Sequence, residues 1–145
     1  MSPAMSSDRR RSTGKVRARQ AALRAQGPAA DPMAVVQAHI AAVRAADPEL
    51  MAADYSDEAR ITRGTDVVVP RHYFPQAVLR LGSSKLVVKS LTPGQPPAGD
   101  ASATRIVMQW ELHGGTADGT RGTDTFTVRG DRIVDQQVVL HTADY

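Results

Sequence analysis

The stretch from Gly119 to Leu140, GTRGTDTFTVRGDRIVDQQVVL, decides the fold of this 145-residue chain. Alternating apolar and polar residues on each side of Gly130-Asp131 predict two β-strands joined by a tight turn. Because strand side chains alternate between two faces, Asp124 shares a face with Phe126 and Val128. If that face packs on the core, Asp124 is buried with it. A buried carboxylate is costly unless it is hydrogen-bonded, paired or protonated, so Asp124 is the first candidate functional residue.

Three helices and several strands precede this hairpin. Asp31-Pro32 supplies an N-cap and a first-turn proline, and the apolar stripe that follows predicts a helix to about Ala46. Asp47-Pro48 repeats the start signal for a short second helix, and a third runs from Pro70 or Arg71 to Gly82. The strands predicted before the hairpin are 61–63, 67–69, 85–91 and 104–113. This order predicts an α+β domain with helices on one side of a curved, mixed or antiparallel sheet.

The charge is unevenly distributed between the N-terminal segment and the rest of the chain. Residues 1–30 hold seven basic side chains against Asp8 alone, a net charge of +6, so the chain total of +3 leaves −3 for residues 31–145. The N-terminal segment has few large apolar residues, which predicts a disordered basic tail over 1–30 and a single domain over 31–145. Such a tail could touch nucleic acid, but a solvated leader is the expected interpretation.

Several classes of function are excluded or disfavoured by what the sequence lacks. There is no cysteine, and the four histidines have no metal-ligand spacing, so we expect no metal site. No phosphate-binding or dinucleotide-binding motif is present, and we expect no cofactor. No apolar run approaches the length of a membrane span, and no apolar segment follows the basic N-terminus. We therefore expect a cytoplasmic protein without membrane contact.

The chain resembles the nuclear transport factor 2-like superfamily, which includes ketosteroid isomerases, SnoaL-like polyketide cyclases and limonene-type epoxide hydrolases. The resemblance rests on the order of elements and on three segments: VVQAHIAAVRAADPELMAADYSDEARI at 35–61, RLG at 80–82 and RGTDTFTVRGDRIV at 121–134. It covers roughly residues 32–145. It implies a cone-shaped fold in which helices and a strongly curved sheet enclose an apolar pocket.

The resemblance also implies roles for individual residues. Asp124 is similar to the strand carboxylic acid of the ketosteroid isomerase pocket, and His39 takes the place of that enzyme's oxyanion tyrosine. Tyr55, expected to face inward from the second helix, resembles a second pocket hydroxyl. Arg63 falls where the isomerase has its general-base aspartate, so steroid isomerisation of the known kind is not expected. The SnoaL-like group is the nearest remaining match.

From these residues we predict a small SnoaL-like enzyme with Asp124 and His39 as a cofactor-free acid/base pair. It would cyclise, isomerise or hydrate a hydrophobic polyketide- or steroid-like molecule by abstracting a proton next to a carbonyl. The alternative for the pair is a buried His–Asp hydrogen bond that orders helix against sheet. The alternative for the protein is a non-catalytic ligand-binding module or dimeric accessory subunit.

The remaining candidates concern the walls of the predicted pocket. Trp110, Met108 and Phe126 form either its apolar wall or ordinary core, and Gln136 alternates with Val138 towards the same face. Arg63 either binds a substrate carboxylate or pairs with Asp66 at the surface. The open face of the sheet predicts a homodimer.

Overall fold

The computed structural model describes residues 3–142, with side chains from residue 11 onward. Its sheet has six strands, named here β1 (Tyr55–Arg63), β2 (Asp66–Val68), β3 (Lys85–Pro93), β4 (Ala103–His113), β5 (Arg121–Arg129) and β6 (Arg132–Leu140). Their order across the sheet is β2-β1-β6-β5-β4-β3, with β1 parallel to β6 and every other neighbouring pair antiparallel. The predicted α+β class and mixed sheet are confirmed. Residues 143–145 of the predicted domain, and the side chains of Arg9 and Arg10, lie outside the described part.

Within residues 3–142 four α-helices and a short 3₁₀ helix (Gly27–Ala29) complete the fold, and the α-helices are α1 (Pro3–Gln26), α2 (Pro32–Arg44), α3 (Pro48–Ala53) and α4 (Pro70–Leu81). The predicted N-caps are present, since the Asp31 carboxylate accepts from Met33 N at 3.1 Å and that of Asp47 accepts from Glu49 N at 3.0 Å. Helix α2 lies across one face of the sheet and contacts β3, β4, β5 and β6. This inner face holds the core, which includes Val35, Val36, Ile106 and Phe126.

Helix α1 corrects the expectation of a disordered tail. Val16, Gln20 and Leu23 are buried, and α1 packs against α2 and α3. Their spacing of four and three residues forms one helical stripe, and alanine and arginine elsewhere favour the helix. Two apolar residues and one glutamine form too short a pattern to predict a buried helix face from sequence. The high charge of the segment instead favours the prediction of disorder. The expectation about nucleic acid stays a prediction.

The register of the hairpin determines which side chains meet on the inner face. Arg129 pairs with Arg132 across the turn, but the pairing shifts between Thr127 and Val128, so that Asp124 lies opposite Val138. On its other side Asp124 lies opposite Met108. The bulge therefore brings Val138, and with it Gln136, onto the same face as Asp124. The predicted inward orientation of Asp124 is confirmed.

The first strand differs from the prediction. Tyr55, expected in the second helix, begins β1, which starts six residues before the predicted Ile61. The pairing of β1 with β6 is irregular between Tyr55 and Arg60. Residues 56–58 in this part are all polar, so they lack the apolar/polar alternation by which a strand is predicted from sequence. Within residues 3–142, no helix is long and apolar enough to cross a membrane.

Candidate functional site

Asp124 is held by two neighbours that lie diagonally across the strands. Trp110 on β4 donates its indole N–H to Asp124 Oδ1 at 3.0 Å, and Gln136 on β6 donates from Nε2 to Oδ2 at 2.9 Å. Diagonal cross-strand positions are within reach of long and aromatic side chains. Gly122 makes the first contact possible, because a Cβ there would meet the Trp110 ring at 2.6 Å. The hydrogen bonds to Asp124 thus follow from strand register and one glycine.

The environment of Asp124 changes its acidity. Burial raises the pKa of the Asp124 carboxyl from 3.8 to about 6, while the hydrogen bonds from Trp110 and Gln136 and the charges of His39 and Arg63 act in the opposite direction. A carboxyl group of this kind is ionised at neutral pH yet readily takes up a proton. That is the property required of a general base.

The hydrogen bonds continue from Gln136 to His39. The Tyr55 hydroxyl donates to Gln136 Oε1 and lies 3.2 Å from His39 Nε2. Burial, followed by the charge of Asp124, raises the pKa of Tyr55 well above its usual range, so its hydroxyl stays protonated. The His39 ring also packs among three aromatic rings, with centroids 5.1 Å from Tyr55, 5.3 Å from Phe74 and 5.7 Å from Phe126.

Sequence reasoning missed the other end of this chain of contacts. His39 Nδ1 lies 3.4 Å from Asp54 Oδ2, a distance typical of an ion pair rather than a short hydrogen bond. Gln20 of α1 donates from Nε2 to Asp54 Oδ1 at 3.1 Å and to Leu50 O at 2.9 Å. Asp54 and Gln20 are both buried. Nothing in the sequence marks Asp54 as a partner of His39, because their contact depends on how α2 and α3 pack.

A cavity of about 70 Å³ opens beside Asp124. His39, Met108, Trp110, Phe126 and Gln136 also line it. Its remaining wall includes Tyr73 on α4, a phenol that the sequence indicated only as part of an apolar helix face. Half-buried residues border it where α2, α4 and β3 meet, and these are Val43, Ala77, Leu81 and Leu86.

The predicted site residues therefore fall into three groups. Six of them surround the cavity: Asp124, His39, Trp110, Met108, Phe126 and Gln136. Tyr55 lies behind this lining, hydrogen-bonded to two of its members. Arg63 is outside the lining, although its pairing with Val138 places it at the end of the same sheet face and its charge lowers the pKa of Asp124. Whether these residues bind substrate or take part in catalysis stays a prediction.

The alternative of a direct hydrogen bond between His39 and Asp124 is wrong, while their role as an acid/base pair stays a prediction. Asp124 bonds to Trp110 and Gln136, whereas His39 faces Asp54 and Tyr55. Both ring nitrogens of His39 point at buried groups, so ring carbons remain to face the cavity. Arg63 and Asp66, the proposed surface pair, lie directly opposite each other where β1 pairs with β2. No group of three metal-ligating side chains occurs among the described residues.

No protein-family profile matches the chain, and no curated protein matches it either. Solved structures do match. A candidate ketosteroid isomerase from Shewanella frigidimarina aligns with a TM-score of 0.59 at 12% identity, over 72% of this chain and 90% of that one. An NTF2-like protein of unknown function from Cytophaga hutchinsonii aligns with a TM-score of 0.51 at 8% identity, over 74% and 87%.

A third similar structure is a candidate calcium/calmodulin-dependent protein kinase II association domain from Thiobacillus denitrificans. It aligns with a TM-score of 0.57 at 14% identity, over 77% of this chain and 95% of that chain. Together with the six-stranded sheet and its helices, these similarities show that the chain has the NTF2-like cone fold. At such identities the similarity extends to the fold and not to activity, because one fold supports many functions.

Proposed function

We propose that this chain with the NTF2-like fold is a cofactor-free enzyme that moves a proton on an apolar small molecule, with Asp124 as the acid/base group. One observation carries the proposal: a buried carboxyl with a pKa of about 6 lines a largely apolar cavity. A carboxyl group with a pKa near the working pH is suited to take a proton and return it.

The chemistry follows from the groups around the cavity. Ionised Asp124 removes a proton from a carbon next to a carbonyl, the electron pair of that C–H bond forms a C=C bond, and the π pair of the carbonyl moves to its oxygen. Tyr73, which lines the cavity, has a phenol hydroxyl that would donate to that oxygen. Protonated Asp124 then returns the proton to another carbon, or the enolate attacks a second centre. Isomerisation and cyclisation share this first step, and hydration uses the same carboxyl to activate water.

The size of the cavity limits what enters it. Pockets that enclose a drug-sized ligand have roughly 300–1,000 Å³. A cavity of about 70 Å³ is several-fold smaller, so it takes the reacting end of a polyketide- or steroid-like molecule. The rest of such a molecule would lie towards Val43, Leu81 and Leu86, where the lining is half-buried.

A second candidate function is a non-catalytic binding module. It is favoured by the internal hydrogen bonds, since both oxygens of Asp124 already have donors within the protein. In that case the network would only order helix against sheet. The two functions differ in whether a bound molecule loses a carbon-bound proton.

Exchange of carbon-bound hydrogen in D₂O separates the two functions without knowledge of the natural substrate. Apolar ketones and unsaturated ketones of increasing size are incubated with the protein, and loss of α-proton signals is followed by NMR. We expect exchange that rises in proportion to the ionised fraction of Asp124, is half-maximal near pH 6 and levels off above about pH 7. Asp124→Asn should slow it by about 10²–10⁴-fold, the usual contribution of a general base.

The matched control is Asp57→Asn, which changes an exposed carboxylate on β1. It should leave exchange unchanged. Equal exchange rates in wild type and Asp124→Asn would refute the role of Asp124. Saturable binding without any exchange would instead support the binding module.

A further inference from the structure

The buried contacts between Asp54 and Asp124 form one continuous series. They run from Asp54 to His39, Tyr55, Gln136 and finally Asp124. The three interior members share a property: an imidazole, a hydroxyl and an amide can each donate on one side and accept on the other. The series can therefore be satisfied in either of two directions.

In the first direction the Gln136 amide donates to ionised Asp124, as the structure has it. The Tyr55 hydroxyl donates to Gln136 Oε1, so its oxygen is left to accept from Nε2–H of His39. His39 Nδ1 faces the Asp54 carboxylate at 3.4 Å, a contact that is attractive when Nδ1 also carries a proton. In this direction His39 is doubly protonated and Asp124 is ionised.

In the second direction every hydrogen bond of the series is reversed, and the contact between His39 and Asp54 is unchanged. The Gln136 amide turns by half a rotation, so protonated Asp124 donates to Oε1 and the amide N–H donates to the Tyr55 oxygen. The Tyr55 hydroxyl then donates to Nε2 of His39, whose remaining proton lies on Nδ1 towards Asp54. The two directions contain the same number of protons, since the one lost from His39 Nε2 is the one gained by Asp124.

We propose that Gln136 couples Asp124 to His39, so that the two groups share one proton and the orientation of the Gln136 amide decides which of them holds it. Mixed arrangements place a donor against a donor, or an acceptor against an acceptor, inside the core. The coupling sets the equilibrium position of the proton and does not depend on the route by which it travels.

This coupling gives Gln136 a role in the proposed function, on which the catalytic part of the inference rests. When the Gln136 amide donates, both oxygens of Asp124 accept N–H bonds, and the carboxylate is a base. When Gln136 accepts, Asp124 is an acid that can return the proton. Gln136 is thus a positioning residue, and His39 acts on Asp124 from a distance.

Other charged and titratable groups act on the pair from the elements packed around it. Arg63 on β1 acts on Asp124 through its charge, Tyr73 on α4 lines the cavity beside Asp124, and Asp135 on β6 acts on Tyr55 through its charge. Their charges are unchanged when Gln136 is replaced. A variant at Gln136 therefore separates hydrogen bonding from electrostatic attraction between Asp124 and His39.

The test is ¹⁵N NMR of the His39 ring at pH 7 in wild type and Gln136→Met, with resonances assigned through His→Gln variants of His72, His113 and His141. In wild type we expect protons on both ring nitrogens. In Gln136→Met the Tyr55 hydroxyl is free to donate to Nε2, so we expect a neutral ring with its proton on Nδ1. The same spectrum for both proteins would overturn the coupling, as would a neutral ring in wild type.

Two further measurements keep the test decisive. Tyr55→Phe cuts the series at the next link and should give the same neutral ring, which covers the case that Gln136→Met fails to fold. Emission of Trp110, the only tryptophan and a donor to Asp124, should show a transition near pH 6 that moves to higher pH in Gln136→Met. An unmoved transition would contradict the coupling. None of these readouts needs a substrate, so they succeed or fail independently of the proposed activity.

Discussion

Replacing Asp124 by asparagine should stabilise the protein at neutral pH, although it removes the proposed acid/base group. The pKa of Asp124 rises from 3.8 to about 6 on folding. At about 1.36 kcal/mol per pKa unit, ionising this group in the folded chain costs about 3 kcal/mol relative to the unfolded chain. Asparagine has the same shape and does not ionise, so it does not incur this cost.

The sign of the effect depends on pH. A folded-state pKa above the unfolded value means that the folded chain binds the proton more tightly. The stability that Asp124 contributes is therefore fully present below about pH 3.8 and is lost as pH rises through about 6. The stabilisation by Asp124→Asn should be less than about 1 kcal/mol at pH 4 and about 3 kcal/mol at pH 7.5.

Hydrogen bonding does not cancel this gain. The side-chain oxygen of the introduced asparagine can accept from the Trp110 indole, and its amide can donate to Gln136 once the Gln136 amide turns. The change in stabilisation between the two pH values, about 2 kcal/mol, is in any case free of pH-independent contributions.

Urea unfolding followed by far-UV circular dichroism measures the effect. With a slope of about 1–3 kcal/mol per molar urea, the variant's midpoint should exceed that of wild type by about 1–3 M at pH 7.5. Asp57→Asn, at an exposed position on β1, should change stability by less than about 0.5 kcal/mol at both pH values. A stabilisation by Asp124→Asn that is the same at pH 4 and pH 7.5 would refute the reasoning.

Two other predictions concern the outer surfaces of the domain. The outer sheet face, which carries Thr125 and the exposed Val139, is the predicted homodimer interface. Light scattering should give twice the 15.5 kDa chain mass. The double variant Thr125→Lys/Val139→Lys should reduce the mass to that of one chain. A single-chain mass for wild type would refute this homodimer. Gln20→Ala removes a buried hydrogen-bond donor to Asp54 and Leu50, so urea unfolding should show that the free energy of unfolding falls by about 1–3 kcal/mol. Arg17→Ala, at an exposed position of the same helix, should lower it by less than about 0.5 kcal/mol. Equal losses in these two variants would argue against the buried role of Gln20.

Local patterns predict most elements because their causes are local. The N-caps at Asp31 and Asp47 and the turn at Gly130 depend on neighbours within a few residues, and the structure confirms them. The inward face of Asp124 also follows from alternation alone. The sequence predicts too short a strand β1 because its pairing with β6 is irregular and parallel, and a parallel partner is not adjacent in sequence.

The partners of Asp124 could not be predicted in the same way. Alternation places Gln136 and Trp110 on strands that each have an inward face. Whether each side chain lies close enough to bond Asp124 depends on the register between the strands. The bulge beside Val128 shifts that register by one residue, and no glycine or proline in the strand marks it. A hairpin without the bulge would put Gln137 opposite Asp124 and turn Gln136 away. The series from Asp124 to His39 thus depends on one extra residue in β6. Deleting Val134 should disconnect the two groups while helix α2, which carries His39, and helix α3, which Asp54 follows, remain.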